Sequence, residues 1–138
     1  MPLLKISSAA RYALSAASYL ALRPRGERAR LDRIAASHGL SPSFLAKIIR
    51  CLAKRRIVVS RRGRGGGHVL ARPSGKIALS EIVAAVEPPR QKFRKCLLEV
   101  RSCGTGAPCI LHDLAVASEK KLWKALEQTT LASYARNQ

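Results

Sequence analysis

The sequence predicts a mainly α fold with a small β-hairpin wing: a winged helix-turn-helix followed by one long C-terminal helix. Three observations predict it. Two short helical patterns flank a glycine turn, two strand-like runs directly after them enclose a loop of arginines and glycines, and an apolar stripe at helical spacing runs through the C-terminal part. The length of 138 residues fits one domain, or one domain with an added segment, and is enough to bury a normal core.

Residues 8–22 read as a helix, with Leu14, Ala17, Ala21 and Leu22 at helical spacing. The region is rich in Ala and Ser and free of acid until Glu27, somewhat like a targeting peptide. Arg11 interrupts its apolar run and no clear cleavage site follows, so it reads as an ordinary first helix. Pro24 and Gly26 break it. Residues 31–38 form a short second helix with Leu31, Ile34 and Ala35 inward. After the turn at Gly39, Ser41 is the N-cap and Pro42 the first position of a third helix that runs to about Lys54. Its core stripe is Leu45, Ile48, Ile49 and Leu52, and its other face carries Ser43, Ala46, Lys47 and Arg50, with Cys51 as core filler.

Residues 57–60 and 68–71 are the strand-like runs, and "RRGRGGG" lies between them. The glycines supply the positive φ angles that a tight hairpin loop needs, and Arg61, Arg62 and Arg64 place cations at its tip. Ser80 is expected to cap a further helix with Glu81 in its first turn and Leu79, Ile82, Val83 and Val86 on its buried face. Pro88 and Pro89 end that helix, and "RQKFRK" is a basic linker. From about His112 a long helix carries Leu114, Ser118, Leu122, Ala125 and Thr129 as a roughly heptad-like stripe, with Trp123 beside it. The chain thus divides into a winged helix-turn-helix DNA-binding domain at 1–88, a cysteine-bearing loop at 89–112, and a dimerisation helix with C-terminal tail at 113–138.

Charge narrows the partner. Lys and Arg number 26 against 8 acids, a formal net charge of +18. That surplus on a folded chain points to a polyanion, nucleic acid before an anionic membrane surface. An aromatic content of 4% leaves little for single-strand stacking platforms, so the expected partner is double-stranded nucleic acid. No stretch approaches the roughly 20 apolar residues of a membrane span, and the expected location is the cytoplasm. The third helix is placed to enter the major groove with Ser43, Lys47 and Arg50, and the wing arginines Arg61, Arg62 and Arg64 to meet phosphates or a narrow minor groove. His68, opening the second strand, reads as a packed or partly exposed wing residue. The loop is not followed by Gly-Lys-Ser/Thr or at once by a helix, so it is neither a P-loop nor a dinucleotide fingerprint. No base–nucleophile or paired-carboxylate arrangement suggests an enzyme or a small-molecule substrate. The long C-terminal helix has little of its own chain to bury against, which predicts a homodimer with the symmetry of palindromic DNA.

Three of the four cysteines fall in "CLLEVRSCGTGAPCILH", as Cys96-x6-Cys103-x5-Cys109-x2-His112. In a cytoplasmic protein thiols stay reduced, and such a cluster more often means metal than disulfide. Gly104, Gly106 and Pro108 let the backbone bend around a common centre. Structural zinc sites usually pair ligands at gaps of two to four residues, and these gaps are longer and unpaired. Three thiolates and one imidazole suit an iron–sulfur cluster. A thiol-based or zinc-based redox switch, or three free cysteines, are the alternatives.

The motifs together resemble the Rrf-type transcription regulators, the family of IscR, NsrR and RirA. "ARYAL", "LSPSFLAKIIRCL", "SRRGRGGGHVLARP", "ALSEIVAAVE" and "CILHDL" carry the likeness, which covers nearly the whole chain. The resemblance implies a dimer that binds operator DNA, with Cys96, Cys103 and Cys109 as cluster ligands. It also implies the fourth ligand. Where some relatives recruit a carboxylate from the partner's first helix, this chain holds Arg11, whereas the IscR-like arrangement uses a histidine three residues after the last cysteine, where His112 stands. A 2Fe–2S cluster is therefore favoured over 4Fe–4S. Two departures stand out: several members have one residue fewer between the first two cysteines, and Ala46 and Lys47 replace an acidic or amide residue in the recognition helix, so base preference does not carry over.

Overall fold

The computed structural model describes residues 6–87 and 109–138. Helix α1 (Ser8–Ala21) begins where the Ser7 hydroxyl accepts from the Ala10 amide at 3.1 Å. Its small residues Ala10, Ala13, Ala16 and Ala17 are wholly buried, so α1 is the axle around which the rest packs. Leu22, expected inward, instead caps the helix and is 64% exposed. Helices α2 (Leu31–Ser37) and α3 (Pro42–Lys54) follow on either side of Gly39, whose φ of 62° makes the turn. The Ser41 hydroxyl caps α3 by accepting from Phe44. All four stripe residues of α3, Leu45, Ile48, Ile49 and Leu52, are buried, while Cys51 is only half-buried. Tyr12 of α1 meets Phe44 edge-on at 5.8 Å and pins the start of α3.

The end of α3 is closed by its own backbone. Arg56 takes φ 54°, and the amides of Arg56 and Ile57 return to the carbonyls of Ala53 and Leu52 at 2.9 and 3.0 Å. This is the Schellman pattern, with Leu52 and Ile57, both fully buried, as its apolar contact. The chain leaves it directly into β1 (Val58–Arg61), which pairs antiparallel with β2 (Gly67–Leu70) in the register Val58↔Leu70 and Arg61↔Gly67. Each strand lies one residue from its sequence-based bounds.

Helix α4 (Leu79–Val86) packs on α1 and α3. Ser80 was expected as its cap, but lies inside the first turn and is buried. Ala78 is the capping position, and the Glu81 carboxylate accepts from the Ala78 amide at 3.0 Å. Arg72 donates to the other carboxylate oxygen at 2.7 Å, and this bond holds the Glu81 carboxyl below its usual range. Helix α5 (His112–Gln128) stops before the end of the expected stripe: Thr129 is its C-cap, and Thr130 caps a separate helix, α6 (Leu131–Arg136). The break ties the C-terminal segment to the start of α4 and the residues just before it through Leu79 N–H to Thr129 O at 3.0 Å and Leu131 N–H to Ile77 O at 2.8 Å. Leu131 and Ala135 then bury against the core, with α6 on α1. Leu126 is the buried residue of α5, while Ile110 and Leu114 at its start are 93% and 64% exposed. Among the described residues no helix is long and apolar enough to cross a membrane.

Candidate functional site

Two sets of expected site residues are exposed, one on α3 and one on the wing. Ser43, Lys47 and Arg50 are exposed on α3, opposite its buried stripe. Ser43 is also tied to the cap, its hydroxyl 3.4 Å from that of Ser41. Arg61, Arg62 and Arg64 are exposed on the wing. The Schellman turn leads straight from α3 into β1, so the two exposed basic sets sit on consecutive elements of the chain. The wing tip depends on glycine: Gly63 and Gly65 have φ of 87° and 67°.

The base of the wing holds a feature the sequence reading missed. The segment before α2 was read only as a helix break. Within it Ala29 pairs with His68, each amide donating to the other's carbonyl at 2.9 and 2.8 Å, which makes a one-residue third strand. An apolar residue between arginines, Arg28-Ala29-Arg30, is the short alternation that could have signalled it. His68 is therefore held between two neighbours, with Nδ1 2.7 Å from the Ser60 hydroxyl across the hairpin. Burial pushes its imidazole below the usual histidine range.

Gly67 closes this joint. Its φ is 135°, and a Cβ there would lie 2.7 Å from the Ala29 carbonyl oxygen and 3.3 Å from Arg28 Cβ. Gly67→Ala is expected to cost about 1–3 kcal/mol from backbone strain alone, before any displacement of Ala29. Thermal unfolding with wild type as reference measures it; an unshifted melting temperature would mean that the joint tolerates a side chain.

Of the cysteine set, Cys109 and His112 are described, and Cys96 and Cys103 lie outside the described residues. Cys109 is a free, half-buried thiol. The His112 amide donates to the Cys109 carbonyl at 2.9 Å, so one turn carries both residues into the start of α5. A thiolate and an imidazole so close along the backbone are a donor pair fit for a metal or cluster.

Comparison with known proteins agrees with this architecture. The chain matches the family described as "Rrf2: Iron-dependent Transcriptional regulator" over residues 6–137. It is 31% identical to the HTH-type transcriptional regulator IscR of Cronobacter sakazakii over 98% of this chain and 82% of that protein. Among solved structures it resembles CymR, the global cysteine regulator of B. subtilis, with TM-score 0.79 and 28% identity over 98% of both chains. It also resembles T. potens IscR, with TM-score 0.76 and 25% identity over 97% of this chain and 88% of the other. A three-helix core, a two-stranded wing and a match over nearly every residue make this chain a member of the Rrf2 family of winged-helix transcriptional regulators.

Proposed function

We propose that the protein is a homodimeric regulator whose affinity for operator DNA is set by an iron–sulfur cluster on Cys96, Cys103, Cys109 and His112. Residues 1–88 read DNA, 89–112 hold the cluster and 113–138 form the dimer helix and tail. Ser43, Lys47 and Arg50 face the major groove, and Arg61, Arg62 and Arg64 the adjacent backbone or minor groove.

The observation that carries the reading is the turn joining Cys109 to His112 at the head of α5. The other end of α5 is anchored in the core by Leu126 and by the Thr129 carbonyl. A change at the ligand end therefore acts on a helix already fastened to the DNA-reading domain. The exposed Ile110 and Leu114 at the same end give a second copy something apolar to cover. Similarity to IscR favours a cluster, and 2Fe–2S over 4Fe–4S. When bound, a cluster supplies a centre whose charge and presence follow iron, oxidant or nitric oxide. Similarity to a cysteine regulator supports the second reading, a thiol- or zinc-based redox-responsive repressor on the same fold.

Reconstitution with iron and sulfide without oxygen separates the two. The cluster reading expects brown protein with about two irons per chain, or about four for the larger cluster. Cys109→Ala is expected to lose nearly all visible absorbance, and His112→Ala to hold a more labile chromophore with a shifted spectrum. Colourless protein with unchanged DNA affinity would overturn it. Identical spectra and lifetimes for wild type and His112→Ala would remove His112 from the ligand set alone.

A further inference from the structure

Between the wing and the start of α2 lies an open cleft lined by the Arg28–Arg30 segment, by Arg61, Arg62 and Arg64, and by the wing glycines, with Pro42 of α3 at its border. Ala29 is 3% exposed and turned to the core. In an extended segment residues two apart share a face, and Arg28 and Arg30 line the same cleft as the wing arginines. Nη1 of Arg28 is buried without a hydrogen-bond partner among the described residues. A donor that has lost water and gained nothing is costly unless a ligand completes it. Asp32 is the acid in the lining, and it pairs with Arg30 at 3.3 Å, both side chains being largely exposed.

We propose that this cleft seats one strand of the DNA backbone, with Arg28 and Arg30 as phosphate contacts and Asp32 as a competitor that restrains Arg30. The inference rests on the wing reading above. With α3 in a major groove and the wing over the neighbouring minor groove, the backbone between the grooves has to pass over the ground between them. That ground is this cleft. Guanidinium groups on both walls suit a phosphodiester, whose non-bridging oxygens accept from two sides. Formation of the Arg28 bond to phosphate would satisfy its orphan nitrogen, and Arg30 would exchange Asp32 for phosphate.

The test uses the full chain and a fluorescein-labelled mixed-sequence duplex titrated over a salt series. The double variant Arg28→Gln, Arg30→Gln is expected to lower the slope of log K against log salt by about 1.8, and affinity by roughly 30-fold near physiological salt, from the loss of two counterion-releasing contacts. Arg28→Lys with Arg30→Lys is expected to restore most of the slope. Asp32→Asn is expected to bind roughly fivefold tighter, one contact's worth. A gain cannot come from misfolding, so the asparagine variant keeps the test decisive if the glutamine variant is unstable. An unchanged slope in the double variant, or no tightening in Asp32→Asn, overturns the cleft assignment. If the slope then still falls when the wing arginines are removed, the wing reading survives without it; if neither set matters while wild type binds, both fall.

Discussion

The triple variant Arg61→Ala, Arg62→Ala, Arg64→Ala is expected to lose about 2.7 units of salt slope and on the order of 100-fold in DNA affinity near physiological salt. The three side chains are exposed and project from a hairpin whose backbone their removal leaves alone. The melting temperature should therefore hold while binding collapses. Both operator and non-specific duplex should weaken together, because phosphate contacts carry no sequence information. Fluorescence anisotropy at several salt concentrations checks this, with circular dichroism as the folding control. A loss confined to one sequence would recast the wing as a reader of base edges. An unchanged slope would remove it from the interface.

The second large effect runs the other way, through stability with the surface proposed to face DNA left intact. Leu52 is wholly buried on α3 and doubles as the apolar half of the turn that ends the helix. Leu52→Ala should cost about 2–5 kcal/mol, read by urea unfolding, because the cavity loses packing to Ile57 and to the neighbouring core at once. Lys47, exposed on the opposite face, should behave as its mirror image. Lys47→Ala should stay within about 0.5 kcal/mol of wild type while changing which duplexes are preferred. If Lys47→Ala unfolds the protein and Leu52→Ala does not, α3 faces the other way.

The helix-turn-helix was legible because the large aliphatic residues of α3, Leu45, Ile48, Ile49 and Leu52, fall on one stripe and are all buried. The wing was legible because glycine and arginine have few other reasons to alternate between two apolar runs. Where reading failed, tertiary contacts had overridden local pattern. Thr129 fits a heptad stripe, but its carbonyl bonds Leu79, and this contact, not periodicity, ends α5. Ser80 is a good cap by type, yet burial of its neighbours draws it inside the turn, and Glu81 caps in its place. Ala29 joins the sheet through a single residue, so its local signal was no more than the three-residue alternation Arg28-Ala29-Arg30. Of the four proposed cluster ligands, Cys109 and His112 lie among the described residues.

The backbone closure at Arg56 and Ile57 has a mechanical meaning for regulation. With no slack between α3 and β1, the two parts proposed to meet DNA are welded into a single reading head. Such a head is poorly suited to being switched by reshaping, since bending it would open a fully buried contact. In a dimer the quantity left to adjust is the separation and tilt of two rigid heads. DNA is a ruler of fixed pitch, with successive turns of the groove about 34 Å apart. A displacement of a few ångströms at the anchored helix would then act as a change of gauge, throwing both heads out of step with the ruler together and making the response steep without any residue in the head changing its contacts.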